Sequence, residues 1–200
     1  MVSNVDQLEQ VFGLGKRDCI LGILPFFHSF GFMATLALPA VVSIGVVYHS
    51  NPLDTKTIGP LVRQHAVTFL LATPTFLQLY LRGCAPGDFG SLRLVMTGAE
   101  KLPERLAAAF EENFGIRPLE GYGLHGMFAR RDGEYLRFSR RRFRQVGTKR
   151  GTIGHPLPGV SVRIVDVNNP HSGNIVAVRR TGVAARAWSE RNAGLSGPSG

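Results

Sequence analysis

LRLVMTGAEKLPERLAAAFEENFG, residues 92–115, contains a complete strand, loop and helix. LRLVMTG (92–98) is a β-rich run of strand length, apolar on both faces, as strands covered on both sides of a parallel sheet are. PERLAAAFEENFG (103–115) then carries Pro103 near its start, Glu104 in its first turn and Gly115 as a stop, which predicts a helix. The same alternation runs back toward the N-terminus. DCILGIL (18–24), SIGVVYH (43–49) and VTFLLA (67–72) predict further strands of the same doubly apolar kind. FMATLALPA (32–40), KTIGPLVRQH (56–65) and PTFLQLYLR (74–82) predict helices, the last with Pro74 at a first-turn position. Strands alternating with helices of about ten residues build βαβ units, so the expected fold class is α/β, a doubly wound layer structure with right-handed crossovers.

In such sheets ligands collect at the carboxyl ends of the strands. Three polar, glycine-containing segments follow the strand candidates: LPFFHSFGF (24–32), TGAEKLP (97–103) and EGYG (120–123). Singly, each has an ordinary structural reading. His28 suits a hydrogen-bonded packing histidine, Gly98 a tight turn and Tyr122 an anchored core aromatic.

Composition bounds the function classes. The 200 residues carry 23 Lys+Arg against 14 Asp+Glu, a net charge of +9, with 44% hydrophobic residues. The apolar content is enough for a core and excludes global disorder. Cys19 and Cys84 show neither CxxC nor zinc-ligand spacing, and MVSNVDQLEQ lacks the pattern of a secretory signal, so the expected location is cytoplasmic. No formally charged residue occurs between Asp18 and Asp54, yet Pro25, His28, Ser29, Gly31, Pro39, Ser43 and Gly45 break this stretch into pieces shorter than a spanning helix. The surplus charge admits a second class, a nucleic-acid-binding protein using the Arg-rich 130–150 segment. Arg130, Arg131, Arg137 and Arg140 to Arg142 would contact phosphates there, with Tyr135, Phe138 and Phe143 as stacking groups. That stretch has no apolar periodicity and no recognisable nucleic-acid-binding fold, so no specific nucleic acid is expected as a partner.

In this order and spacing, the three loops resemble the adenylate-forming, or AMP-binding, acyl-activating superfamily. The likeness is closest to the acyl-acyl carrier protein synthetase and 2-acylglycerophosphoethanolamine acyltransferase type of long-chain fatty acid ligase. It runs from Asp18 to Gly123 and resumes at FRQVGTKRGTIGHPLPGVSVRIVD (143–166), where GTIGHPLPG matches a family GxxGxPxPG stretch. By this resemblance His28 lines or gates the acyl pocket. Gly98, Ala99 and Glu100 lie along the adenine and acyl pocket, and Tyr122 stacks on adenine between Gly121 and Gly123. Family members join a fatty acid to AMP with release of pyrophosphate from ATP and Mg²⁺, then pass the acyl group to acyl carrier protein or coenzyme A. Peripheral contact with a membrane is compatible with such substrates.

The 200 residues contain no match to the family's Ser/Thr/Gly-rich phosphate loop, ribose Asp or lid Lys, so no intact catalytic set is expected and the chain by itself is expected to be inactive. After Gly123 the family's x-Thr-Glu is replaced by Leu124, His125 and Gly126. The genetic code offers a cause. Leu-His-Gly-Met-Phe-Ala-Arg can be written CTG CAC GGA ATG TTC GCC CGT, which one base later reads Cys-Thr-Glu-Cys-Ser-Pro and continues VVTVNTCDFRAAG up to Phe143. Val178 to Gly200, shifted in the same direction, can read SGEQGLLLVRGPNVMLGYLGQA, resembling the family's GExGLLxVxGPNVMxGY. The expected organisation is therefore a partial AMP-binding domain over 1–123, an out-of-frame basic segment over 124–142, the domain resumed over 143–169 and an out-of-frame tail over 170–200. Residues 124–142 and 178–200 carry net charges of +4 and +3, so most of the +9 resides in them.

Overall fold

A computed structural model describes residues 2–122, 129–130, 157–158, 160–166 and 183–189. The chain divides into two compact units, Met1–His155 and Pro156–Gly200. In the first, helix α1 (Val2–Phe12) precedes β1 (Cys19–Gly22). A helical stretch follows in three pieces, α2 (Ser29–Gly31), a π-turn (Phe32–Ala37) and α3 (Leu38–Val42). Then come β2 (Gly45–Tyr48), α4 (Thr55–Gln64), β3 (Phe69–Ala72), α5 (Pro74–Gly83), a 3₁₀ turn (Pro86–Phe89), β4 (Leu94–Thr97), α6 (Glu104–Phe114), β5 (Leu119–Tyr122) and β6 (Ala129–Arg130). The sheet order is β2-β1-β3-β4-β5-β6, parallel from β2 through β5. This is the α/β order in which the chain switches sides next to β1, leaving a crevice between the ends of β1 and β3.

The helices start where local chemistry starts them. Asp54 accepts the Thr57 amide at 3.3 Å to cap α4, and Thr73 accepts the Phe76 amide at 3.3 Å to cap α5, with Pro74 as its first residue. Gly115, at φ 73°, terminates α6 in the left-handed region. Helices α4, α5 and α6 cover one face of the sheet, burying Ile58, Val62, Leu77, Tyr80, Phe110 and Phe114 against Leu21, Leu70 and Val95. Helix α1 buries Val5, Leu8 and Phe12, and the Phe12 ring lies 5.7 Å from that of Phe69 in β3. The periodicity reading assigned no element to this opening segment.

A polar clamp closes the amino end of the sheet. Asp18 accepts two bonds of 2.6 Å from Arg93 Nε and Nη2, one of 2.8 Å from the Thr68 hydroxyl and one of 2.9 Å from the Gly15 amide. Arg93 also donates to the Phe12 carbonyl at 3.2 Å. Burial alone would raise the Asp18 carboxyl, but the Arg93 guanidinium, the Gly15 amide and the Thr68 hydroxyl together hold it below the usual carboxylate range.

Two expectations need correction. The 43–49 run is not covered on both faces: β2 is an edge strand, with Gly45 and Tyr48 exposed and Val46 and Val47 half-buried. The 32–40 helix begins earlier, at Ser29, and its middle is a π-turn, in which the Leu38 amide bonds back to Met33 O. The second unit contains β7 (Val160–Asp166) and β8 (Val183–Ser189), paired antiparallel from Val160↔Ser189 to Asp166↔Val183. Gly123 and most of the 124–142 and 170–200 segments lie outside the described residues. Among the described residues no helix is long and apolar enough to cross a membrane.

Candidate functional site

The loop after β1 is built around two tight contacts. His28 caps α2: its Nδ1 accepts the Phe30 amide at 3.2 Å, and its own amide bonds to Pro25 O at 3.2 Å. With Nδ1 an acceptor, the neutral ring carries its proton on Nε2. The imidazole is exposed, so it is not a core histidine. Gly31 passes so close to the loop that a Cβ there would collide with the Pro25 carbonyl oxygen. Only glycine fits at that step.

The loop after β4 meets this one, and α5, which follows β3, meets the loop after β4. Gly98 is buried, and a Cβ on it would stand 3.2 Å from Cε1 of Phe30, a ring projecting from α2. Ala99 follows at φ 68°, a left-handed conformation that costs a non-glycine residue strain. This turn aims Glu100 back toward α5, where Thr75 Oγ1 donates to Glu100 Oε2 at 2.9 Å. One register over, Thr97 Oγ1 donates to Leu119 O at 3.2 Å, and β4 pairs with β5 at Thr97↔Glu120. Gly121 and Tyr122 thus end the neighbouring strand at the same edge of the sheet.

The structure therefore brings His28, Gly98, Ala99, Glu100, Gly121 and Tyr122 to the carboxyl ends of β1, β4 and β5. Sequence reasoning did not assign Phe30, Gly31 or Thr75 to the site: Phe30 joins the loops after β1 and β4, Gly31 lets the β1 loop close on Pro25 O, and Thr75 of α5 holds Glu100. Phe30 and Gly31 sit inside the quoted HSFG run, so the motif contained the signal, whereas Thr75 is recognisable only from the fold.

Beside the loop after β1 is a cavity of about 800 Å³. Ile23, Leu24, Phe26, Phe27, Leu36 and Tyr48 make up most of its wall, and no Asp, Glu, Lys or Arg lines it. Its volume falls in the range of small-molecule pockets. Among the described residues no group of three His, Cys, Asp or Glu side chains is placed to hold a metal ion.

Comparison with known proteins gives this arrangement its lineage. A family model described as AMP-binding enzyme matches residues 1–185. The chain belongs to that family. Among curated AMP-binding relatives, a benzoate–CoA ligase of Thauera aromatica is 24% identical over 162 residues, 78% of this chain and 28% of its own length. A long-chain-fatty-acid–CoA ligase of Bacillus subtilis is 27% identical over 149 residues, 72% of this chain and 25% of its own length. The chain spans between a quarter and a third of these relatives. Among solved structures, ATP-bound MatB from Rhodopseudomonas palustris superposes with a TM-score of 0.76 at 21% identity, covering 94% of this chain and 35% of that one. The O-succinylbenzoate coenzyme A synthetase of Bacillus subtilis, in complex with ATP and magnesium, gives 0.71 at 22% identity, covering 90% and 34%. At these identities the superpositions establish the α/β fold.

Proposed function

We propose that this chain is the acid- and adenine-binding part of an ATP-dependent acyl-activating ligase. Its parent enzyme forms an acyl-adenylate from a fatty acid in the cytoplasm and passes the acyl group to coenzyme A or acyl carrier protein. The observation that carries this reading is the meeting of the loop after β1 with the loop after β4, through Phe30 on Gly98, next to the Thr97↔Glu120 pairing that leads into Gly121 and Tyr122, together with a mostly apolar cavity walled by the β1 loop. In this reading the cavity takes the acyl chain and His28 stands at its rim. The glycine backbone at Gly98, Gly121 and Gly123 lets adenine approach, with Tyr122 stacking on it. Ala99 and Glu100 shape the turn between the acid and the nucleotide. The chemical step needs charge stabilisation at the α-phosphate, which these residues do not supply. The isolated chain therefore binds without reacting. Calorimetric titration of the chain with ATP and Mg²⁺ is expected to show nothing tighter than millimolar; micromolar binding would overturn the fragment reading.

The missing Thr-Glu pair follows from the reading frame. Residues 124–142 and about 170–200 are out-of-frame translation, the parent domain continuing over 143–169. Two observations coincide with the loss of the motif at Gly123: the surplus arginine, and the change from parallel pairing to a two-residue antiparallel pair, Gly121↔Arg130 and Tyr122↔Ala129. The gene decides the matter. His125 must be encoded CAC and Gly126 GGA for Thr and Glu to appear one base on, and any other codon at either position sinks the idea.

A further inference from the structure

Of the three site loops only the one after β1 walls the cavity, and the facing wall comes from Leu36 and from Tyr48 to Pro52 at the end of β2. Tyr48, the last residue of edge strand β2, is paired in register with Gly22 of β1, and its ring lies over that glycine. A Cβ at position 22 would collide with ring carbon Cδ1 and approach Cε1 to 2.6 Å, so the ring occupies its place only because residue 22 has no side chain. From the loop side, Phe26 meets the same ring edge-on, with centroids 5.6 Å apart and planes at 82°. From the helix side, the Tyr48 hydroxyl donates to Thr35 O at 2.7 Å. Thr35 lies within the π-turn, fully buried, and its own hydroxyl donates to Gly31 O at 2.7 Å. π-Turns are rare and concentrate at functional positions. This one carries Thr35, the mooring of the Tyr48 hydroxyl, and Leu36, which lines the cavity.

Three elements thus fix one aromatic ring that is half exposed, at 50%, and lines the cavity at the same time. A ring held on three sides cannot swing away cheaply: moving it breaks a hydrogen bond to a buried backbone segment and an aromatic pair.

We infer that Tyr48, seated on Gly22 and moored to Thr35, is the residue that limits the width of the acyl group this cavity accepts, admitting unbranched apolar chains and excluding bulky ones. This rests on the reading of the cavity as the acyl pocket. The wall is mostly apolar, with His49 and Ser50 its polar side chains, so discrimination between two unfunctionalised hydrocarbon groups rests on shape, and shape discrimination in an apolar pocket reaches about 10- to 200-fold.

The test uses the 200-residue chain and two acids of equal carbon count, tridecanoate and cyclododecanecarboxylate, each displacing a fluorescent dansyl-undecanoate probe. The unaltered chain is expected to prefer tridecanoate by about tenfold or more. Tyr48→Val puts a β-branched residue suited to a strand in place of the ring, and it should shrink that preference to about threefold or less by gaining affinity for the cyclic acid. Tyr48→Phe retains the ring over Gly22 and should keep the direction of preference. Gly22→Ala pushes the ring aside and should weaken both acids. A Tyr48→Val chain with an unchanged unfolding midpoint and the full tenfold preference overturns the selector. Failure of tridecanoate to displace the probe from the unaltered chain overturns the acyl-pocket reading itself.

Discussion

The Phe30 ring occupies the space above Gly98: its Cε1 lies 3.2 Å, and its Cζ 3.3 Å, from where a Cβ on residue 98 would stand. This contact joins the loop after β1 to the loop after β4 across the crevice beside the β1 and β3 ends. Gly98→Val would place branched carbon in the Phe30 ring and force it out of its buried site. The expected cost is about 1–3 kcal/mol, the usual range for overpacking a filled site. Equilibrium denaturation would measure it, and acid binding should weaken with it. A substitution that leaves both unchanged would show that the two loops do not depend on each other.

Gly31→Ala should be the harsher change, although it adds a single carbon. The atom it meets is the Pro25 carbonyl oxygen, part of the backbone rather than the end of a flexible side chain. Relief requires the loop from Pro25 to His28 to move, which also breaks the His28 amide bond to Pro25 O. Loss of probe binding with the sheet intact by far-ultraviolet circular dichroism is the expected result.

The Asp18 carboxyl, held below the usual range, makes the amino-end clamp sensitive to acid. A carboxylate with a folded pKa below its unfolded value stabilises the fold at every pH above the unfolded value, near 3.9, and loses that contribution as pH falls through the folded value. Asp18→Ala should therefore cost about 2–3 kcal/mol at pH 7, consistent with loss of hydrogen bonds to a charged partner. The difference between the variant and the unaltered chain should shrink below about pH 4. A deficit that stays constant down to pH 2 would mean that the carboxylate charge is irrelevant there.

Cys84, at the end of α5, offers a probe of the contact between α4 and α5. Its Sγ sits 3.5 Å from Thr55 O, and burial, with the nearby Asp88 charge, pushes the thiol up to about 11. Since the thiolate is the reactive form, iodoacetamide at pH 8 should label Cys84 slowly in the folded chain and rapidly in denaturant. Fast labelling under native conditions would reveal opening between α4 and α5.

Much of the architecture was legible because burial writes itself into composition. The runs around Ile20, Leu70 and Val95 are continuously apolar, since strands covered on both faces tolerate little else. The run around Val46 reads the same way, yet it forms the edge. A strand's neighbours are a property of topology, and an apolar run does not record whether both its sides are paired. The π-turn at Phe32–Ala37 was hidden for a related reason: its residues fit an ordinary helical pattern, and the extra residue per turn shows only in the Leu38 to Met33 bond. At the site, the glycines were visible as residues, but their reasons were not. That Gly98 lies under Phe30 and Gly22 under Tyr48 depends on contacts between segments far apart in sequence.

The clamp at the amino end of the sheet also sets an order of events. Asp18 and Arg93 are separated by 75 positions, so the bond that locks β1 to the start of β4 closes one of the longest loops in the first unit. On a ribosome, a nascent chain that has not yet reached Arg93 holds an Asp18 carboxylate without the guanidinium that clamps it, while β1 and β2 have already been made. The first half of this sheet must therefore wait, edges open and anion unpaired, for a residue that arrives after β3 is complete. Loop-closure entropy grows only slowly with length, so the wait costs time more than it costs final stability.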